Sequence, residues 1–338
     1  MGSINLSAKH LIETVADISA IKSGIILSNS ELITLISERL EDTEIFKEEN
    51  LDKFIRIRSE VLEDIIYYIR DKLGELKENE NDFVFKKRVS IFNKWAGSNH
   101  DFNLIFRKII DIMKDYKSKF PDTKIDPVFL MHKLIEETKI PQELAFDIID
   151  ILVDHQTITN HVFDFERKDW DGGTSLKLLF SGENIPQNPQ NYIDQKFINY
   201  LETNKDKVDI IHWRNFERLT AEFFMREGYE VELGPGQNDG GVDLRLWRKN
   251  NNKEEPALIL VQCKRHKLSN KVDINTVKAF YTDVEFENAE KGIIATTSAI
   301  EAGGKKIASA RKYPLSFAEN SEINNWVQKM RTSKIINK

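Results

Sequence analysis

Over the first half of the chain, apolar residues return every three or four positions and charged residues fill the places between. Leu51, Phe54, Ile55, Leu62, Ile65, Ile66, Ile69, Leu73 and Leu76 make one such stripe. Phe102, Ile105, Phe106, Ile109, Ile110 and Met113 make another, and Phe129, Leu130, Leu134 and Ile135 a third. That spacing follows the turn of an amphipathic helix. Pro141 stands where a first helical turn tolerates it, ahead of Ala145, Ile148, Ile149 and Leu152. The pattern predicts helices as far as about residue 165, with no internal repeat.

Beyond that point the period changes. Asp169-Trp170-Asp171-Gly172-Gly173 and Asn184-Ile185-Pro186-Gln187-Asn188-Pro189 are turn and loop signals, and a short helix at 192–204 follows them. From residue 208, helical and extended stretches alternate. A helix at 213–226 is closed by Gly228, and short strands follow at 229–233 and 242–247, with a polar, glycine-rich loop between them. Asn250-Asn251-Asn252-Lys253 reads as a hairpin-like connection into 257–264, an aliphatic run of the kind buried on both faces of a sheet. Helices at 275–288, 302–313 and 321–330 alternate with strands at 291–297 and 314–317. The expected fold is an α/β domain, a mixed sheet of about four or five strands flanked by helices, preceded by an all-α domain. The expected boundaries are 1–168 for the helical domain, 169–207 for a linker with a connecting helix, and 208–332 for the α/β domain.

Composition narrows the class. The 338 residues are 40% hydrophobic and 31% charged, as in globular proteins. Cys263 is the single cysteine, which excludes an intrachain disulfide and a cysteine-rich zinc site. No signal-peptide pattern or membrane-length apolar run is seen, so the expectation is a cytoplasmic protein without membrane contact. The net charge of −6 is unevenly spread: residues 201–338 hold 23 Lys and Arg against 20 Asp and Glu, whereas residues 1–200 hold 26 against 35. A mildly basic second part is compatible with nucleic-acid contact through that part alone.

The chemistry concentrates in residues 240–265. Gly240-Gly241-Val242-Asp243 closes one extended segment, and Leu258-Ile259-Leu260-Val261-Gln262-Cys263-Lys264-Arg265 is another. Side chains alternate along a strand, so Gln262 and Lys264 share a face while Cys263 takes the other. If the two segments pair, Asp243, Gln262 and Lys264 meet at one sheet edge, a hard-cation site beside an ammonium group. A turn aspartate and a snorkelling lysine are the plain alternatives, but two same-face polar groups on a buried strand need partners. Glu217 reads either as a solvated helix glutamate or, sharing a helix stripe with Trp213, Thr220 and Phe224, as drawn inward with the two aromatic residues, where a carboxylate wants a cation. Thr296, Thr297 and Ser298 precede a helix and read either as a phosphate-binding surface or as a capped polar loop. Arg265, His266 and Lys267 read either as contacts to a DNA backbone or as an exposed basic loop. His132, His155 and His161 match no metal-ligand spacing, and Asp169-Trp170-Asp171-Gly172-Gly173 is a turn.

These pieces occur in a recognisable order. Trp213-Arg214-Asn215-Phe216-Glu217, Glu227-Gly228-Tyr229-Glu230-Val231, Asn238-Asp239-Gly240-Gly241-Val242-Asp243, Val261-Gln262-Cys263-Lys264-Arg265 and Ile293-Ile294-Ala295-Thr296-Thr297-Ser298 make residues 208–330 resemble the catalytic domain of Mrr-type restriction endonucleases, in the PD-(D/E)xK nuclease superfamily. The resemblance implies Asp243 as principal metal ligand, Glu217 as a second acid and Lys264 as the catalytic lysine. Gln262 stands where the wider superfamily has a carboxylate; the Mrr-like branch shares this glutamine. An amide binds a divalent cation less strongly, which leaves the number of metals open. Asp239 can compensate, although a turn role suits it better. The resemblance further implies a DNA endonuclease using Mg²⁺ (or Mn²⁺), double-stranded DNA as partner, a homodimer or higher oligomer, and a role in prokaryotic defence against foreign DNA. Two rival readings remain: a nuclease fold that binds without turnover, and a protein whose helical part senses a signal or partner and only then triggers cutting.

Overall fold

The computed structural model describes residues 3–40, 42–76, 91, 93–98, 100–121, 123–159, 173–182, 191–236, 241–248 and 257–332. The connection at 250–253, Asp239, His161 and most of the 169–190 loop region lie outside these residues, as does the His155 side chain. The chain forms two compact units, residues 1–71 with 76–173 and residues 72–75 with 174–338.

The first unit is mostly helical. Its helices are α1 (Ala8–Ser23), α2 (Asn29–Ser37), α3 (Ser59–Lys72), α4 (Phe102–Lys119), α5 (Pro127–Thr138) and α6 (Gln142–Thr159). Their starts are chemically marked. Asp101 accepts hydrogen bonds from the backbone N–H groups of Asn103 and Leu104, and Asp126 accepts one from Val128 with Pro127 in the first turn. The apolar stripes of α4, α5 and α6 meet in one core that includes Ile105, Ile109, Met113, Leu130, Leu134, Leu144 and Ile148. The expectation of helix throughout is corrected where strands intervene, a short one at Ile25–Ile26 among them. Phe54–Arg58 is a strand (β2), paired antiparallel with Ser3–Ser7 (β1), Ser3 opposite Arg58 and Ser7 opposite Phe54. Phe54 and Ile55 fit a helical stripe by their spacing. The segment Phe54-Ile55-Arg56-Ile57-Arg58 also alternates with period two, and its pairing with β1 decides between them. No described helix is long and apolar enough to cross a membrane.

The second unit is built on a five-stranded mixed sheet. Its strands are β3 (Tyr229–Leu233), β4 (Leu244–Arg248), β5 (Leu258–Lys264), β6 (Lys291–Thr296) and β7 (Leu315–Ala318), in that spatial order. The first two pairings are antiparallel and the last two parallel. The parallel pairs are joined by crossover helices α10 (Ile274–Phe286) and α11 (Ala302–Ala310), as parallel neighbours require. These helices cover one face, where Val277, Phe280 and Val284 pack with Leu260 and Ile294. Gly292 on β6 makes that packing possible: a Cβ there would lie 2.6 Å from Leu315, 2.7 Å from Val284 and 2.8 Å from Phe280. The remaining helices are α7 (Lys177–Phe180), α8 (Gln195–Thr203), α9 (Trp213–Arg226) and α12 (Asn320–Thr332).

Residues expected to be a linker are part of this unit. Gln195 on α8 donates to the Met330 carbonyl on α12, and Arg331 pairs with Glu202. The apolar side of α8, with Phe197, Ile198 and Leu201 fully buried, explains why it docks instead of spanning a gap.

Candidate active site

The site is made where α9 meets the carboxyl-terminal end of β5. Helix α9 is buried all round: each residue from Asn215 to Phe224 is buried. Polar groups on such a helix must find partners inside the protein. Asn215 donates to the Leu178 and Leu179 carbonyls, Thr220 to the Phe216 carbonyl, and Glu222 accepts from the Tyr192 N–H and from Arg226.

Glu217, 4% exposed, accepts a hydrogen bond from Arg214 at 2.6 Å. Burial nevertheless pushes its carboxyl up to about 7; the Arg214 bond opposes the rise, while the charge of Asp243 and a hydrogen bond between the two carboxyls add to it. The Asp243 and Glu217 carboxyls therefore lie within reach of each other. Sequence reasoning brings Trp213 inward with Glu217, but Trp213 is 37% exposed. It lies in the first turn of α9, ahead of the fully buried stretch.

Asp243 is held from several directions. Its N–H donates to the Val261 carbonyl at 3.0 Å, its carbonyl accepts from Gly234 at 2.8 Å, and its Oδ2 accepts the Cys263 N–H at 2.6 Å. It stands one step beyond the Leu244–Val261 pair, opposite Gln262. The expected pairing of the two segments is therefore present. Gly241 has φ of +92°, a conformation that favours glycine, and its carbonyl accepts the Gln262 Nε2 at 2.7 Å. The Gln262 Oε1 is buried with no hydrogen-bond partner.

Lys264 ends β5, and its ammonium makes no hydrogen bond or ion pair among the described residues. Its charge is felt at the Cys263 thiol, which lies beside Thr220 and is raised well above the ordinary thiol range, by burial first and then by Asp243. Cys263 thus packs on the α9 side of the strand, as the alternation predicts.

The hydroxyl run after β6 is placed differently from the expectation of a phosphate surface. Thr296, Thr297 and Ser298 are buried. Thr296 Oγ1 donates to the Lys264 carbonyl at 2.7 Å, while Thr297 Oγ1 accepts the His266 N–H at 2.9 Å and donates to the His266 carbonyl. Parallel pairing sets Thr296 opposite Lys264, so these hydroxyls fasten the end of β5 and turn away from solvent. Arg265 and His266 are half-buried and Lys267 is exposed. His132 lies exposed on α5.

Two residues near the site were not expected from sequence. His212 caps α9, accepting the Arg214 N–H, and its imidazole is pushed down by burial and by the positive charges of Arg265 and Arg218. Arg218 is 6% exposed. The signal for them was the unbroken apolar-and-polar run of α9, which marks a helix with no solvent face.

Among the described residues, no three His, Cys, Asp or Glu side chains are grouped to hold a metal ion. The oxygen donors that adjoin are the Asp243 and Glu217 carboxyls, whereas alternation puts the orphaned Gln262 amide on the face of β5 away from Cys263 and α9. That set fits Mg²⁺, which binds through one or two carboxylates and keeps several waters, better than a cation needing a full protein cage.

Residues 208–327 match the Mrr_cat family, described as restriction endonuclease. A protein of Sinorhizobium fredii, y4cE, is 27% identical over 124 residues, covering 36% of this chain and 31% of that relative. Among solved structures, the MspJI restriction endonuclease bound to a 27-mer oligonucleotide is 17% identical, with a TM-score of 0.32 over 45% of this chain and 36% of that one. The DNA modification-dependent restriction endonuclease AspBHI is 14% identical, with a TM-score of 0.31 over 56% and 49%. The chain thus spans about a third of y4cE and of MspJI. With the α9–β5 arrangement in place, residues 208–327 of this chain are a restriction endonuclease catalytic domain of the Mrr type.

Proposed function

We propose that the protein is a metal-dependent endonuclease that hydrolyses phosphodiester bonds of double-stranded DNA, in prokaryotic defence against foreign DNA. One observation carries the chemistry: the Asp243 and Glu217 carboxyls adjoin at the strand end that carries Lys264. Asp243 and Glu217 would hold Mg²⁺ or Mn²⁺. When bound, the cation supplies charge neutralisation at the phosphate and acidifies water. Lys264, without an ionic partner among the described residues, orients the attacking water and offsets charge that builds on the phosphate oxygens. Asp243 is fixed by its Cys263 bond, so the carboxylate meets the cation in one orientation. Arg265, His266 and Lys267 follow Lys264 directly and contact the DNA backbone. The hydroxyls of Thr296 and Thr297 keep that segment in place.

Cutting both strands needs two sites, so the working form is a homodimer or larger assembly. The helical unit serves recognition, regulation or oligomerisation. Plasmid digestion with and without Mg²⁺, on methylated and unmethylated DNA, tests the reading. Cleavage that requires Mg²⁺ and vanishes in Lys264→Ala is the expected result. Undiminished cleavage by Lys264→Ala would remove the lysine from the mechanism. A protein inert on plain DNA until a partner or small-molecule signal is added would instead favour a triggered nuclease.

A further inference from the structure

The two-stranded sheet of the helical unit presents two unlike faces. Antiparallel pairing sets Ser3 opposite Arg58, Asn5 opposite Arg56 and Ser7 opposite Phe54. Facing residues share a side of a sheet and successive residues change side, so these six lie on one side, and Ile4, Leu6, Ile55 and Ile57 on the other. Burial follows the same division: Leu6 and Ile57 are buried, whereas Ser3, Asn5, Phe54, Arg56 and Arg58 are exposed. Phe54 is 80% exposed, and its ring meets no other ring among the described residues. A cleft of about 430 Å³ opens beside it, with Asn5, Ser7, Lys9, His10, Glu13 and Phe54 in its lining. The cations here are uncommitted. Lys9 and Arg58 make no side-chain hydrogen bond or ion pair among the described residues, and Arg56 bonds only the Ser3 hydroxyl, through Nε at 2.8 Å. The acid in the cleft, Glu13, faces His10 at 3.8 Å. A part of the chain with an acidic excess thus gathers two arginines, a lysine, an amide and a bare ring on one small face.

We propose that this face of β1 and β2 binds single-stranded nucleic acid. Phe54 stacks on one unpaired base, which the cleft beside it receives. The Asn5 amide bonds the edge of that base, and Arg56, Arg58 and Lys9 meet the neighbouring phosphates. A ring offers a π-face to any base, and cations along the same face track the backbone that carries it. Arg56 and Arg58 stand about 6.8 Å apart along β2, and the planar fork of each matches phosphate oxygens in pairs. A duplex is a poorer occupant for two reasons. Its bases are stacked on one another and closed to the ring. Its charge is also packed more densely along its axis, so the acidic excess of this part of the chain opposes it more. The proposal uses no residue of the nuclease chemistry and stands apart from that reading.

The test uses the full-length protein in EDTA. A short labelled single strand is titrated by fluorescence anisotropy across a salt series, with excess unlabelled duplex present to fill the nuclease unit. Deoxyribose and ribose strands of one sequence are run in parallel, to tell which source supplies the ligand. Binding of at least one of them is expected to survive the duplex. Phe54→Ala should weaken it roughly tenfold at an unchanged salt slope, because stacking releases no counterions. Arg56→Gln and Arg58→Gln should each weaken it and lower the salt slope by about 0.7. Phe54→Trp, with a larger ring, should bind as tightly as the parent or more so. Failure of the parent to bind either strand overturns the proposal, as does loss of binding when duplex is added. Parental affinity in Phe54→Ala overturns it too. Phe54 is exposed, so Phe54→Ala should melt at the parental temperature. If it melts lower, Phe54→Leu decides, since it keeps the apolar bulk and loses the flat ring: weaker binding supports stacking, and parental binding rejects it. Plasmid cleavage by the parent is read separately, and its absence counts against the nuclease reading alone.

Discussion

At the scale of single residues, Glu217 links burial to metal and to pH. Its carboxyl lies at about 7, above the ordinary 4.5, so the folded protein holds that proton more tightly than the unfolded chain does. The stabilisation is fully present below about pH 4.5 and is lost as pH rises through about 7. A divalent cation demands the opposite state, since it binds the carboxylate. Metal-free protein is therefore expected to melt at progressively lower temperature between those pH values, and Mg²⁺ to restore stability above pH 7 but not at pH 5. Glu217→Gln should flatten the pH dependence and remove most of the Mg²⁺ effect. An Mg²⁺ effect equally large at pH 5 would show that Glu217 is not a ligand. Asp243, Gln262 and Lys264 were legible from sequence because strand alternation and two glycines constrain where they point. Arg218 was not, because an arginine on a helix reads as a solvated charge until the neighbouring elements are known to close over it.

At the scale of elements, the functional end of β5 is only as well placed as the neighbours that hold it. Thr297→Val removes the hydroxyl that bonds both backbone groups of His266 in a buried place. Losing such a partner costs about 1–3 kcal/mol, and here the cost falls on the segment after Lys264. Hydrogen exchange is expected to rise at residues 265–267 before the rest of the sheet, with a fall in cleavage rate. Uniform exchange across β5 and β6 would count against this local role. Gly292→Ala tests the opposite face: its Cβ has no room between Leu315, Val284 and Phe280. Overpacking of this kind costs roughly 1–3 kcal/mol, visible as an earlier midpoint in urea with cleavage intact below it. The elements of this sheet were legible because period, turn residues and aliphatic runs agree. The helix at 213–226 coincides with the observed one, and the strand at 257–264 differs from it by one residue. Phe54–Arg58 was not legible as a strand, because its partner lies some fifty residues away and local spacing carries no trace of that pairing.

At the scale of the whole molecule, the matched domain occupies about a third of the chain, and the proposed chemistry draws on one set of groups within it. A duplex presents two strands of opposite polarity, and one such set addresses one strand at a time. Two-fold pairing of copies places a second set on the other strand with no new chemistry. The uneven charge of the chain fits this arrangement, since the basic excess lies in the part with the active site and the acidic excess, 35 carboxylates against 26 basic groups, lies before it. Under the proposed nuclease reading, the acidic first part repels DNA and leaves the duplex to the second. Supercoiled plasmid reads out the strand count directly. At low protein concentration the expected product is the nicked circle, and linear DNA should rise with a steeper than first-order dependence on protein. Mixing excess Lys264→Ala with the parent should turn linearisation into nicking, because most assemblies then carry one competent site. If linear product instead forms in proportion to the parental protein at every mixing ratio, each copy cuts both strands unaided and the paired assembly is ruled out.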